Sequence, residues 1–207
     1  MRTQYLVEPQ EIERGSKVFR EHEKRDAMYK VATFLVEHFW GKPLEMADAL
    51  GVLLLTWNNA FYRYGEFDFQ ILEQTLSRRM SILKAFRDRT VLSFCEADNE
   101  TIQDLFNDFL TTLKVSDGKS KERKSPVAVA KALHLLAPAF FPLWDKKIAL
   151  EYGCDYSDDP SGTYIKFIFI SKVMAERLKD KVGTSPGKSL LKIIDEYNYA
   201  RFTKGWI

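Results

Sequence analysis

Residues 125–153 read SPVAVAKALHLLAPAFFPLWDKKIALEYG, and this stretch decides how the rest of the chain is read. Ser125 followed by Pro126 is a helix start, because serine is a good N-cap and proline suits the first helical position. An apolar run follows and must stop at Pro138, which has no N–H to donate and clashes inside a helix. Phe140-Phe141-Pro142-Leu143-Trp144 then hands over to Asp145, read as the N-cap of a second helix, Lys146 to Tyr152. The spacing predicts a carboxylate at a helix mouth beneath a hydrophobic shelf. Taken alone, Asp145 reads as a plain helix cap.

Outward from this stretch, apolar residues recur at helical spacing and sustained alternation is nearly absent. Met28 to Trp40 is predicted helical, with Val31, Phe34, Leu35, His38 and Phe39 on one face. Pro43 opens a helix through Trp57 and Phe61 to a stop at Gly65. Asp68 caps a helix from Phe69 to about Leu76, and Met80 to Phe86 continues after a break at Ser77-Arg78-Arg79. Asp98-Asn99-Glu100 opens an amphipathic helix to Leu113, Ser161 starts another, and the last begins at Ser185-Pro186 and runs past Tyr197. Tyr164 to Ile170 is β-branched and aromatic, yet it flows into Ser171–Leu178 without a break and is assigned helix. The fold class is therefore all-α, with eight to ten helices.

At 207 residues the chain is long enough to bury a core. Lys and Arg number 31 against 29 Asp and Glu, a net charge of +2, so any case for nucleic acid must be local. Cys95 and Cys154 lack CxxC spacing and read as reduced thiols. No apolar run reaches membrane-spanning length, and the first residues lack a signal-peptide core. A soluble, cytoplasmic protein is expected. His22, His38 and His134 have no partner at ligand spacing, so no metal and no cofactor is expected. Residues 183–189, GTSPGKS, are one residue short of a P-loop, carry Pro186 where a donor is needed, and follow no strand.

The Phe-Pro-x-x-Asp handover, with a buried helix before it and a short helix after it, resembles the helix-hairpin-helix DNA glycosylases. The wording is closest to the adenine-mismatch branch and covers about residues 125–153. The resemblance implies a two-lobed helical fold with a cleft between lobes, about 28–114 forming one lobe and 1–27 with 115–207 the other. It implies a repair enzyme that flips a damaged or mismatched base out of duplex DNA and hydrolyses its N-glycosidic bond, acting as a monomer. Asp145 would be the catalytic carboxylate, facing a cleft shared by the Trp57 helix and the 115–124 loop. The family's bifunctional members use a lysine that falls here on Val127, which favours monofunctional hydrolysis. Lys124 and Lys131, one turn to either side, are secondary candidates. Where the family carries a Gly-x-Gly turn, this chain reads Lys121-Glu122-Arg123-Lys124-Ser125, so the hairpin is altered or replaced.

Lys119, Lys121, Arg123 and Lys124 cluster directly before a helix N-terminus, a place that favours anions. With Lys146 and Lys147 they are the candidate DNA phosphate contacts, against the plainer reading of a solvated charged loop. Trp57, Asn58 and Trp144 are candidates for a base pocket, since base recognition uses aromatic stacking and amide hydrogen bonds. Tryptophan at helical spacing also suits a core. The alternative to an enzyme is a catalytically silent helical module that binds DNA or protein.

Overall fold

The computed structural model describes residues 7–63, 65–115, 122–181 and 188–207. Among these the architecture is all-helical; the one piece of β pairing is an isolated antiparallel bridge between Val115 and Arg123. The α-helices are α1 (Pro9–His22), α2 (Ala27–His38), α3 (Pro43–Trp57), α4 (Asn59–Tyr62), α5 (Phe69–Arg87), α6 (Asn99–Thr112), α7 (Pro126–Leu136), α8 (Lys146–Glu151), α9 (Pro160–Leu178) and α10 (Leu190–Asn198). A π-helical turn, Tyr199–Thr203, extends α10. None of these helices is long and apolar enough to cross a membrane.

The boundaries follow local chemistry. Proline stands in the first turn of α1, α3, α7 and α9, where its missing N–H costs nothing. Asp68, Ser125, Asp145, Asp159 and Ser189 cap their helices through side-chain oxygens. Three sequence expectations need correction, and a fourth falls outside the described residues. α5 runs through Ser77-Arg78-Arg79 unbroken, because Leu72, Leu76, Leu83 and Phe86 hold one buried face while Arg78 and Arg79 reach out to Asp108 on α6. The helix from Pro43 ends at Trp57 rather than continuing to Gly65, since Asn58 leaves helical geometry and α4 starts afresh. α9 is capped by Asp159, whose Oδ1 accepts from Gly162 N–H, not by Ser161. The expected last start at Ser185-Pro186 lies outside the described residues; the helix in view begins at Leu190, capped by Ser189.

The β-branched run 164–170 is helical, with Tyr164, Phe167, Ile168, Ser171, Met174, Ala175 and Leu178 inward at helical spacing. α1 was not anticipated: its buried face holds only Pro9, Ile12, Gly15, Ser16 and Phe19 amid many charges. It lies close against α10. A Cβ on Gly15 would stand 2.6 Å from Tyr197 Cδ2 and 3.1 Å from its Cα, so only glycine permits this approach.

α7 runs through the centre of the core, with Ala128 to Ala130 and Ala132 to Leu136 all buried. The turn after it is pinned carbonyl by carbonyl. Arg87 donates to Leu136 O (2.9 Å), Ser189 to Pro138 O (2.9 Å), Val91 N–H to Ala139 O (2.8 Å) and Tyr164 to Pro142 O (2.8 Å). Buried turn carbonyls need such partners. Phe86, Phe140, Phe141, Trp144 and Tyr164 pack ring on ring around the turn. Asp145 thus leaves a rigid aromatic base.

Candidate functional site

Asp145 begins α8 in extended geometry, φ −121° and ψ −179°. Its Oδ1 accepts the Ile148 N–H at 2.9 Å and its Oδ2 accepts the Thr203 hydroxyl at 2.5 Å. The half-buried carboxylate also borders a cavity of about 420 Å³, within the range of small-molecule sites. Trp57, Trp144, Phe19 and Tyr199 supply aromatic wall, and Lys131, Lys192, Asp26 and Asp195 supply charge.

The structure brings three sequence-selected residues together here with Asp145: Trp57, Trp144 and Lys131. Trp144 is 2% exposed, and its indole N–H donates to Pro126 O at 3.3 Å, so it forms wall as part of the core. Lys131 projects from α7, donates to the Trp57 carbonyl at 2.8 Å and lies 5.0 Å from that indole centroid. Burial lowers its pKa to about 8, against the opposing pull of Asp145 and Asp195. A buried ammonium loses hydration, and this is the direction that loss takes.

Other selected residues lie elsewhere. Asn58 spends its amide on the Ser125 hydroxyl at 3.2 Å and does not border the cavity. Lys119 and Lys121 lie outside the described residues. Arg123 is held by its backbone bridge to Val115, with its guanidinium 5.6 Å from the Phe61 ring. Lys124 and Lys146 are exposed, and Lys147 is exposed while donating to Thr203 O at 3.0 Å. The cleft expected between the Trp57 helix and the 115–124 loop is walled differently. Trp57 takes part, but the facing side comes from Glu23, Arg25 to Met28, Lys192, Asp195 and Tyr199, and none of Val115 and residues 122–124 contributes. The first helix and α10 close over this side because Gly15 lets them meet.

Sequence reading missed the charged floor. Lys192 Nζ, on a side chain only 3% exposed, lies 3.1 Å from Asp26, 3.5 Å from Asp195 and 3.9 Å from Glu196. Glu196 is further held by Lys188 at 2.5 Å and by the Ser16 hydroxyl at 2.6 Å. Asp26 adopts φ +43° and makes no cap bond to α2, its carboxylate having gone to Lys192. Asp195 has the poorest compensation of the three. Burial raises its pKa to about 6, Lys192 pulling it back and Glu196 and Asp26 pushing it on. The available signal was Lys192, Asp195 and Glu196 at i, i+3, i+4 within an otherwise apolar helix. Above the floor, His134 is fully buried. Its Nδ1–H donates to Phe141 O at 2.7 Å, since a carbonyl can only accept, and its Nε2 therefore accepts from Tyr29 OH at 3.1 Å. Desolvation pushes it down to about 4, so at neutral pH it is an uncharged core histidine.

Among the described residues no group of His, Cys, Asp or Glu is arranged to hold a metal ion. No family model matches the chain, no curated protein matches it, and no solved structure matches it.

Proposed function

We propose that this chain is a DNA base-excision glycosylase of the helix-hairpin-helix type, two lobes receiving an extruded damaged or mismatched base in the Asp145 cavity. The observation that carries the reading is the meeting of Asp145, Trp57, Trp144 and Lys131 around one cavity of about 420 Å³. Cleavage of the C1′–N bond leaves its electron pair on the base and positive charge on the sugar. A fixed carboxylate stabilises that charge and orients the water that attacks C1′, as in glycoside hydrolysis. The Ile148 N–H and Thr203 hydroxyl hold Asp145 in place for this, leaving further lone pairs on both oxygens. Hydrolysis is favoured over an amine route, because Lys131 is tethered to Trp57 O and Val127, in the place of the family's lysine, carries no amine.

One observation favours a second reading, a catalytically silent DNA-binding or protein-interaction module. Both Asp145 oxygens already have structural partners without any substrate. Incubation with a panel of damaged-base and mismatched duplexes, followed by assay for abasic sites, separates the two. Excision is expected in the native chain and a loss of at least about a hundredfold in Asp145→Asn. DNA affinity should be unchanged in that variant, and stability should change by only a few tenths of a kcal/mol, since Asn and Asp cap alike. Full excision by Asp145→Asn removes the mechanism. No abasic product from any duplex leaves the silent module.

A further inference from the structure

The outer face of α2 is apolar. Ala32 and Val36 on its inner side are fully buried, anchoring the helix to the core. The opposite side presents Ala27, Val31, Phe34 and His38, all exposed, with Val31 at 50% and Phe34 at 64%. Their spacing of four, three and four residues is that of a helix-pairing seam. The Phe34 and His38 rings stack along it at 5.8 Å. Among the described residues the other large exposed apolar side chains, Leu44, Val52, Ile71, Leu150 and Phe169, fall one or two to a helix and form no such row. A soluble chain that leaves three helical turns of seam uncovered carries an interaction surface.

The flanks say what covers it. Lys30 and Glu37, both exposed and seven residues apart, lie on one side of the seam. Met28, 36% exposed, and Leu35, half-buried, are also seven apart and lie on the other. We infer that α2 is a self-association face, pairing antiparallel with α2 of a second copy about a two-fold axis. In that register Val31 packs on the partner copy's Phe34 position and Ala27 on its His38 position. Like flanks meet in an antiparallel pair, so the ammonium of Lys30 meets the carboxylate of Glu37 twice, and Met28 meets Leu35 twice. A parallel pairing would instead set each charged flank against the apolar one. Charge and shape are thus complementary to this same helix reversed, which is the requirement for an isologous contact.

The contact is small. Twelve residues make a helix of about 18 Å, and a single helix pair lies at the weak end of protein interfaces. Association should therefore be concentration-dependent. Sedimentation over a dilution series of the full chain is expected to rise from the mass of one chain toward that of two. Phe34→Glu and Val31→Glu, at exposed positions, should remain monomeric throughout with an unchanged circular dichroism spectrum. Lys30→Glu should weaken association about tenfold, by turning two attractive contacts repulsive. Adding Glu37→Lys to it should restore affinity to within about threefold of the native chain. A native chain that stays monomeric at every concentration overturns the inference, and so does a dimer indifferent to Phe34→Glu. Failure of the double charge exchange to restore affinity overturns the antiparallel register. No arm requires DNA or excision, so the result is read apart from the enzymatic reading, although Ala27 and Met28 also line the cavity.

Discussion

Two buried regions border the same cavity and are stabilised by opposite means. On one side lies the aromatic turn after α7, which reaches the cavity through Leu143 and Trp144; behind them Phe86, Phe140, Phe141 and Tyr164 pack ring on ring, the Arg89 guanidinium lies 4.8 Å from the Phe140 ring, and the buried imidazole of His134 has both nitrogens satisfied. On the other lies the α1–α10 seam, where Lys192 is shared by Asp26, Asp195 and Glu196. The first region is held by packing and shape. The second is held by an ionic arrangement with more carboxylates than the central cation can match. A packed aromatic region loses stability through voids, and with pH only where a buried neutral group such as His134 is forced to charge. An ionic one loses it when a partner is removed or a proton moves.

The largest expected effect is loss of a partner on either side, and pH separates the two cases. Lys192→Met should cost about 3–5 kcal/mol at pH 7, because three carboxylates lose the cation they share. Phe141→Ala should cost a similar amount, about 3–5 kcal/mol, through lost burial and a residual cavity. Urea unfolding at pH 7 and pH 4.5 distinguishes them. The Lys192→Met deficit should shrink at the lower pH, where Asp195 is already protonated, and the Phe141→Ala deficit should not. Equal behaviour at both pH values would dissolve the contrast.

His134 gives the next effect, on the packed side. Its folded pKa of about 4 lies below its ordinary value of 6.5, so the unfolded chain takes up the proton first. Its contribution is present above pH 6.5 and is lost as pH falls toward 4, amounting to about 3 kcal/mol. His134→Leu should abolish that acid-side slope. It should add a pH-independent cost of about 1–3 kcal/mol for the unpaired Phe141 carbonyl and Tyr29 hydroxyl. Stability curves measured from pH 7 to 4 check both parts, and an unaltered slope in the variant would move the titration elsewhere.

The smallest effect runs the other way. Asp195 has a folded pKa raised to about 6 from 3.8, so its favourable contribution is complete below about pH 4 and is lost as pH rises through 6. Asp195→Asn should therefore stabilise the chain at pH 7, by on the order of 1 kcal/mol once sharing with Lys192 is allowed for, and should be neutral near pH 4. A uniform shift at both pH values would mean that packing, not charge, governs this position.

Much of the fold was legible because helix signals are local. Ser125-Pro126, Pro138 and Asp145 fixed α7, the turn and the start of α8, and the apolar spacing of residues 164–178 outweighed their β-branched composition. Errors arose where a local polar cluster imitated a break, as at Ser77-Arg78-Arg79, whose two arginines serve Asp108 on another helix. The site was legible only in part. Asp145, Trp57, Trp144 and Lys131 stood out by type and position, whereas Asp26, Lys192, Asp195 and Thr203 did not.

The sequence by itself determined most of the helices, several of their caps and the place of Asp145 at a helix mouth, since each depends on neighbours within a turn or two; that the apolar face of α2 carrying Val31 and Phe34 points outward came only with the tertiary structure. Only the tertiary structure decided that Asp26, Lys131, Asp145 and Asp195 border one cavity, and that Thr203 holds the Asp145 carboxylate from 58 residues away. Helical periodicity specifies which face turns inward, but not which face it meets. The shifts of Lys131, His134 and Asp195 arise from that meeting, because desolvation exists only once the surrounding helices have closed.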